Sequence, residues 1–373
     1  MPFAEELIGP QVAITLARSV QAVVADRLLR VLPNTAGALD GLPLRERADL
    51  LRDALLTDVP GDHRALADVV RAAAGASPAF GGWLIWPVTS AVASRAVQQG
   101  TEDAFVDAMA LLAELTGRLT SEFAVRTLLR HDLDLALESV RRWADSPDDH
   151  VRRLASEGTR PYLPWAMRVP ELSGRPGVTV PILDALYRDD SEYVRRSVAN
   201  HLNDLSRDEP ELVVDTARRW LDAPAPTTPA LVRRGLRTLV KRGHAGALGL
   251  LGFTPVSVDV DGPHVLEEEV PWGGIVRFRA VVRNVGTERA RLAVDYVVHH
   301  RKADGGSSGK TFKLASRTLA VGEEWEIDRE HSFRQITTRR YHPGVHAIAL
   351  QVNGVLTGPA PFELLPPTDT DVH

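Results

Sequence analysis

Three acidic side chains lie at helical spacing from arginines in the first two thirds of this chain. Glu122 precedes Arg126 by four residues and Glu157 follows Arg153 by four, so each pair shares one helix face. Asp204 is the third. A carboxylate held beside a sugar can stabilise the positive charge of a breaking glycosidic bond and can orient or deprotonate a water. The alternative is a set of i,i+4 salt bridges on a solvated face.

A tryptophan on a stiff segment adds to this group. Trp165 ends the run Arg160-Pro-Tyr-Leu-Pro-Trp165, in which the two prolines restrict the backbone. Its ring is well placed to pack against a sugar or a base, although tryptophan more often fills a core. Packing is the favoured role of the other tryptophans considered, Trp83, Trp86, Trp143 and Trp220.

The sequence lacks the residue patterns of several other chemistries. It has no Walker-type glycine loop, no His-Glu-x-x-His and no Gly-x-Ser-x-Gly. The absence of cysteine excludes disulfides, thiolate metal ligands and a cysteine nucleophile. His299-His300 is the only close histidine pair and falls at the end of a predicted strand. We therefore expect no metal site and no cofactor.

The elements that would position these side chains are helices from the N-terminus to about residue 250. Apolar residues recur three and four apart, between short separators rich in Pro, Asp and Gly. This pattern predicts helices over 12–32, 44–58, 62–75, 81–98, 102–118, 121–131, 133–145, 148–158, 178–188, 190–206, 210–222 and 229–243.

The helical part also repeats. Val-Arg pairs begin at Val125, Val151, Val194 and Val232, with spacings of 26, 43 and 38 residues, and Arg-Arg-Trp occurs at 141–143 and 218–220. Periods near 40 built from two helices are typical of HEAT-like repeats, so we predict an α-solenoid. The alternative is a helical bundle in which the arginine pairs coincide. The longest spacing contains an insertion over 160–177.

Inner helices of a solenoid together line one concave surface, and basic residues there suit the phosphates of a nucleic acid. Carboxylates in such a groove repel phosphate, and a cationic substrate would explain their presence. The candidate DNA-binding residues of the repeat helices are Arg126, Arg152, Arg153, Arg160, Arg195, Arg196, Arg233, Arg237 and Lys241.

The pattern changes after about residue 253. Runs such as 275–282 and 292–298 are rich in β-branched residues, and glycine-containing turns separate them. The sequence therefore predicts a helical domain over 1–252, a β-sandwich over 253–366 and a disordered tail over 367–373. Its basic loops at 299–302 and at Arg339 and Arg340 are candidate DNA contacts.

Composition limits the class of protein. The net charge is −5, which argues against a chain that is basic all over but allows a local basic stripe. No apolar run is long enough for a transmembrane helix, and the N-terminus does not resemble a secretory signal. We expect a cytoplasmic monomer without a membrane partner.

The segments 121–126, 152–165 and 194–206 resemble the AlkC branch of the AlkC/AlkD-like DNA glycosylases. The likeness covers most of residues 1–250, and it implies HEAT-like repeats with, in a subset, a C-terminal immunoglobulin-like domain. It further implies that Glu122, Glu157 and Asp204 lie near the deoxyribose of the lesion, that Trp165 packs on the sugar, and that Arg152, Arg153 and Arg160 bind phosphates. The family excises cationic N-alkylated bases, notably 3-methyladenine and 3-methylcytosine.

These observations predict a glycosylase that acts on double-stranded DNA containing alkylated bases, in base excision repair. An alkylated base is already cationic, so it leaves without an acid to protonate it. One alternative is a non-catalytic HEAT-repeat scaffold that binds a protein partner, which leaves the carboxylates among the arginines unexplained. A helical-repeat lyase acting on a pigment-bearing protein has no support beyond the repeat.

Overall fold

The computed structural model describes residues 3–24, 28–336 and 339–367. The chain forms two compact units, Met1–Gly235 and Leu236–His373. The first is helical, and the second joins two short helices to a set of β-strands. A helical N-terminal region followed by a β domain is therefore confirmed. Pro367 apart, the predicted tail over 367–373 lies outside the described residues.

The helices of the first unit are α1 (Ala4–Leu7), α2 (Pro10–Val23), α3 (Leu44–Asp58), α4 (His63–Ala76), α5 (Ile85–Gln99), α6 (Glu102–Thr116), α7 (Val125–His131), α8 (Leu133–Trp143), α9 (Asp149–Gly158), α10 (Pro170–Gly174), α11 (Val180–Leu186), α12 (Glu192–Leu205), α13 (Pro210–Asp222) and α14 (Thr228–Gly235). Asp62, Asp132 and Asp148 cap α4, α8 and α9, where each carboxylate accepts a bond from a first-turn N–H. Among the described residues, no helix has the length and apolar character needed to cross a membrane.

Several predicted helices have different bounds in the structure. The helix predicted over 12–32 ends at Val23, and residues 25–27 of that range lie outside the described part. The helix predicted over 121–131 begins only at Val125, because the Ser121 hydroxyl donates to Leu112 O and the Thr120 hydroxyl accepts from the N–H of Glu122. These side-chain bonds hold the preceding segment as a turn.

The helix predicted over 229–243 is split in two. It consists of α14 and a separate short helix, α15 (Arg237–Lys241), with Leu236 between them. Gly235 ends α14 against the preceding repeat, since a Cβ there would lie 2.8 Å from Leu202 Cδ2. The predicted line of Arg233, Arg237 and Lys241 on one helix is therefore wrong.

The helices that carry Val-Arg-Arg pack one after another: α9 contacts α12, and α12 contacts α14. Their buried positions follow the spacing read from the sequence, with Val151, Leu154 and Ala155 buried on α9. Trp143 and Trp220, at the ends of α8 and α13, are buried as expected. Trp220 stacks on Tyr187 with ring centroids 4.9 Å apart.

The second unit contains α15, α16 (Ala245–Leu250) and the strands β1 (Val258–Val265), β2 (Glu269–Val270), β3 (Ile275–Asn284), β4 (Ala290–Arg301), β5 (Ser307–Leu319), β6 (Glu324–Ser332), β7 (Gly344–Val352), β8 (Val355–Leu356) and β9 (Ala360–Leu364). One sheet has the order β1-β3-β6 and the other β2-β9-β7-β4-β5, with β8 beside β7. Pairing is antiparallel except between β2 and β9. Alternate residues of both sheets, such as Phe278 and Leu350, share one core.

The short helices α15 and α16 belong to the β unit. The Gln351 side chain of β7 donates to Lys241 O, and Gly243 lies so close to Gly354 that a Cβ would be 2.8 Å from its Cα. The sequence places the domain boundary at 252–253, whereas the compact units meet between Gly235 and Leu236. The change of residue pattern near 253 marks where strands begin, which is a different point from where the packing changes.

Candidate active site

Helix α9 brings the centre of the site into place. Glu157 lies in its last turn and is buried, and Gly158 follows it. A Cβ on Gly158 would lie 2.7 Å from Val125 Cγ1, so glycine lets the end of α9 meet the start of α7. This close approach sets Glu157 beside the turn that carries Glu122.

Two arginines join the three predicted carboxylates into one chain of ion pairs. Arg153 contacts Glu122 Oε2 and lies 3.6 Å from Glu157 Oε1. Arg160 lies 2.5 Å from Glu157 Oε1 and, through Nε, 2.9 Å from Asp204 Oδ2. The structure therefore brings together five side chains that the sequence placed on three separate helices or, for Arg160, just past the end of one.

The Glu122 end of this chain contains two residues that sequence reasoning missed. The Thr120 hydroxyl donates to Glu122 Oε2 at 2.9 Å and accepts from Arg153 Nη1 at 3.1 Å. The Arg153 guanidinium also lies 5.2 Å from the ring centre of Tyr193, an exposed aromatic on α12. Tyr193 directly precedes the Val-Arg-Arg motif, which is a usable sequence signal. Thr120 carries no such signal.

Burial and neighbouring charges shift the pKa values of Glu157 and Asp204 in opposite directions. Burial raises the pKa of Glu157, but Arg153, Arg160 and a bond from Ser197 more than offset it, so the net pKa is lowered. Burial also raises the pKa of Asp204, and there Arg160 only partly offsets it, so the net pKa is raised. Glu157 is thus held as an anion, while Asp204 is a stronger base than an ordinary aspartate.

A neutral histidine links α12 to α9 next to the site. His201 is fully buried on α12, and burial lowers its pKa to about 3. Its Nδ1 lies 2.9 Å from Ser156 O, so Nδ1 carries the proton and donates, and Nε2 accepts from the Thr179 hydroxyl at 3.2 Å. The bond to Ser156 O joins α12 to α9 at the residue before Glu157.

The insertion after α9 is fixed by Arg126, which is fully buried. Its Nη1 donates to Gly158 O and Arg160 O, and its Nε donates to Met167 O. Burial, with Arg168 and Arg160 nearby, lowers the pKa of Arg126 to about 10. Arg126 thus lies beneath the surface, where it positions the loop. It is not accessible to a phosphate, as a DNA-binding role would require.

Trp165 projects from this insertion. Its side chain is 48% exposed, and its backbone has a φ of 61°, in a region that non-glycine residues rarely adopt. Arg45 donates a hydrogen bond to its carbonyl oxygen. The ring is thus presented to solvent by a strained backbone that neighbouring groups hold in place, a feature that clusters at ligand sites.

The two arginines of the Val-Arg-Arg motifs on α9 and α12 differ in position. The first holds a turn: Arg152 donates to Ser146 O and to Asp189, and Arg195 donates to Asp189 O and Asp190 O. Of the second arginines, Arg153 joins the carboxylates and Arg196 is exposed, with Glu192 as its partner at 2.8 Å. Arg160 is also engaged with carboxylates and is only 8% exposed.

The remaining basic candidates are spread over both units. Arg233 is exposed in the first unit, and Arg237, Lys241 and Arg340 are exposed in the second. Arg339 is half-buried and contacts His300 Nε2. His300 itself is buried inside β4, so the predicted basic loop at 299–302 consists largely of strand.

One group of metal-ligand atoms lies at the start of α9, at Asp148, Asp149 and His150. The Asp148 carboxylate caps the helix, and Asp149 accepts a bond from the Ser191 hydroxyl at 2.8 Å. These contacts give the group a structural role. Within the described residues, the carboxylates of the ion-pair chain do not form such a group.

Comparisons with known proteins identify the fold and the family of this chain. Residues 259–366 match the family of the C-terminal Ig-like domain of YhaZ, which confirms the predicted immunoglobulin-like domain. The YhaZ protein of Bacillus subtilis (strain 168) is 33% identical over 254 residues, which cover 68% of this chain and 70% of YhaZ. The structure of Pseudomonas fluorescens alkylpurine DNA glycosylase AlkC, bound to DNA containing an abasic site analog, matches 98% of this chain and 100% of that one. Its TM-score is 0.85 and its identity is 32%.

Proposed function

We propose that this chain, which belongs to the family of AlkC-type DNA alkylation-repair glycosylases, is a DNA glycosylase that excises cationic N-alkylated bases. The AlkC likeness supports glycosylase activity and binding of double-stranded DNA. The observation that carries the finer proposal is the chain of ion pairs linking Glu122, Glu157 and Asp204 through two arginines. The substrates we propose are 3-methyladenine and 3-methylcytosine in DNA, as an early step of base excision repair.

In the proposed reaction the bond between the sugar C1′ and the base nitrogen breaks first. Its electron pair goes to the base, which loses its positive charge and leaves as a neutral molecule. The sugar becomes oxocarbenium-like, and a water then adds at C1′ and loses a proton. Because the departing base is already activated, the reaction needs no side chain to protonate it.

The two inner carboxyl groups suit different parts of this reaction. Glu157, with a lowered pKa, stays ionised and can stabilise the charge on the sugar. Asp204, with a raised pKa, accepts a proton more readily and can deprotonate the water. We propose that Arg153 and Arg160 fix the directions of these carboxylates, and that Trp165 packs against the deoxyribose.

Exposed basic residues then supply the contacts with phosphate. In the first unit these are Arg196 and Arg233, and in the second Arg237, Lys241 and Arg340. Such contacts add affinity that falls with salt and carry no sequence information. We propose that the immunoglobulin-like unit assists DNA binding and supplies no catalytic group.

The proposal is tested by incubating the protein with randomly methylated DNA and separating the freed bases by chromatography. We expect 3-methyladenine to be released, with equal yield when a chelator is present. Asp204→Asn is the matched variant and should release the base about 10²-fold more slowly. Release that is absent for the intact protein, or equal for Asp204→Asn, would contradict the proposal, and DNA binding without release would favour a non-catalytic scaffold.

A further inference from the structure

A cleft of about 450 Å³ lies next to Trp165 in the helical unit. Its walls come from four parts of the chain: Ala4 and Leu7 of α1, Leu44 and Arg45 at the start of α3, Trp86 of α5, and Trp165 of the insertion after α9. The volume falls within the range of about 300–1,000 Å³ that is typical of sites for small molecules. Of the residues that line it, only Trp165 has a role in the reaction proposed above.

The cleft adjoins the chain of ion pairs. Trp86 is buried and stacks on Phe123, with ring centroids 4.1 Å apart and planes inclined by 22°. Phe123 is the next residue after Glu122, whose carboxylate contacts Arg153. The lining of the cleft is thus linked to the residue next to Glu122 by one pair of stacked rings.

The walls have the chemistry of a site for a flat ring. The exposed indole of Trp165 offers a face for stacking, part of the largely buried Trp86 ring lines the cleft, and aliphatic side chains complete the apolar part. Arg45 adds the polar part: one N–H of its guanidinium bonds to Trp165 O, and a guanidinium has five such donors. The other donors can reach ring nitrogens or an exocyclic oxygen, the acceptors that nucleobases present.

We infer that this cleft binds one neutral nucleobase. Neutrality follows from Arg45, because a guanidinium repels a cationic ring and donates to an uncharged one that has acceptors. The strained backbone of Trp165, which Arg45 holds by its carbonyl, keeps the second indole in place. The inference rests on the proposed function, and it gives Arg45 and Trp86 a role in binding the base.

A neutral base can reach the cleft from two sources. One is the alkylated base after excision, which has lost its charge. The other is an undamaged base displaced from the duplex. Equilibrium dialysis with labelled 3-methyladenine and adenine tests the first source. The neutral fluorescent purine 2-aminopurine, placed opposite the lesion, tests the second, since stacking on an indole changes its emission.

Two cleft variants have matched controls on the exposed face of α4. Ala4→Leu fills the cleft, and Ala72→Leu adds the same atoms elsewhere. Arg45→Met removes the donors, and Arg64→Met removes an arginine elsewhere. Exclusion of the base from its stacking partner, or loss of one charged donor, corresponds to about tenfold weaker binding or more. We expect that loss for Ala4→Leu and Arg45→Met and unchanged binding for both controls.

Binding of free base that both cleft variants weaken supports the inference with the released base as occupant. A 2-aminopurine change that Ala4→Leu abolishes supports it with a duplex base as occupant. If the intact protein gives neither signal, or if the cleft variants match their controls in both assays, the inference is wrong. Dialysis requires no catalysis, so base binding without excision would count against the proposed glycosylase alone.

Discussion

Replacement of Arg160 tests whether this residue binds a phosphate of the DNA or positions the carboxylates of the site. The resemblance to the AlkC branch implies that Arg160 binds a phosphate, whereas the structure buries its guanidinium between Glu157 at 2.5 Å and Asp204 at 2.9 Å. We therefore expect Arg160→Met to damage catalysis and to leave DNA binding almost unchanged.

The size of the effect follows from the contacts that are lost. Glu157 keeps Arg153 at 3.6 Å, but Asp204 loses the group that contributes most to lowering its pKa. Its pKa, already raised by burial, should rise further, so a larger fraction is protonated at neutral pH and cannot act as a base. Loss of one electrostatic stabiliser lowers the excision rate by about 10²-fold. Uncompensated buried charge costs about 3–5 kcal/mol of folding free energy, less what protonation of Asp204 relieves.

Single-turnover excision with saturating protein measures the catalytic loss. DNA affinity at several salt concentrations measures whether DNA binding is unchanged. Arg196→Met is the contrasting variant, because Arg196 is exposed. It should reduce affinity more than excision, and it should lower the slope of log affinity against log salt by about 0.9 for one lost phosphate contact. Arg160→Lys retains a charge without the planar guanidinium and should fall between Arg160→Met and the parent protein.

A thermal melt of Arg160→Met guards against an unfolded sample. If this variant lowers the salt slope by about one phosphate contact and keeps the excision rate, Arg160 binds DNA and the positioning role is wrong.

Three further predictions follow from the same contacts. Glu157→Gln should lower excision by about 10²-fold while DNA affinity holds or rises, since a negative charge leaves the site; equal excision rates would remove Glu157 from the mechanism. The excision rate should rise with pH through the raised pKa of Asp204, and Asp204→Asn should flatten that acidic limb; an unchanged profile in the variant would assign the limb to another group. Arg340→Glu should reduce the salt dependence of DNA binding without lowering the melting temperature, because Arg340 is exposed; an unaltered salt slope would mean that it touches no phosphate.

The acid stability of the immunoglobulin-like unit should depend on its buried histidines. Burial lowers the pKa of His300 to about 3 and that of His331 to about 4, with Arg339 adding to both effects. The unfolded chain binds protons below pH about 6.5 and the folded unit does not, so stability should fall as pH drops from there towards 4. Thermal melts across this range measure it, and a melting temperature that is independent of pH in His300→Phe and the parent protein alike would contradict the assignment.

The sequence allowed us to predict which side chains share a helix face, but not how deeply each of them is buried. Helical spacing placed Glu157 with Arg153 and Arg160, and the structure has these side chains in contact. Spacing alone could not show that the insertion after α9 covers Arg126, because that burial depends on carbonyl groups more than thirty residues away. Nor could it show that the segment before Val125 is a turn, since side-chain bonds from Ser121 and Thr120 decide that locally.

The alternation of charge in the ion-pair chain bears on which bases the proposed enzyme can excise. Three carboxylates and two guanidiniums leave one net negative charge when all are ionised, which favours a cationic base and the oxocarbenium-like sugar over their neutral counterparts. Excision of an undamaged base would require a proton donor, and Glu157 is a poor one because Arg153 and Arg160 hold its pKa down. Asp204 has the raised pKa, but a protonated Asp204 could no longer activate the water. Selectivity for alkylated bases would then arise from the charge of the leaving group, without a pocket that recognises the methyl group.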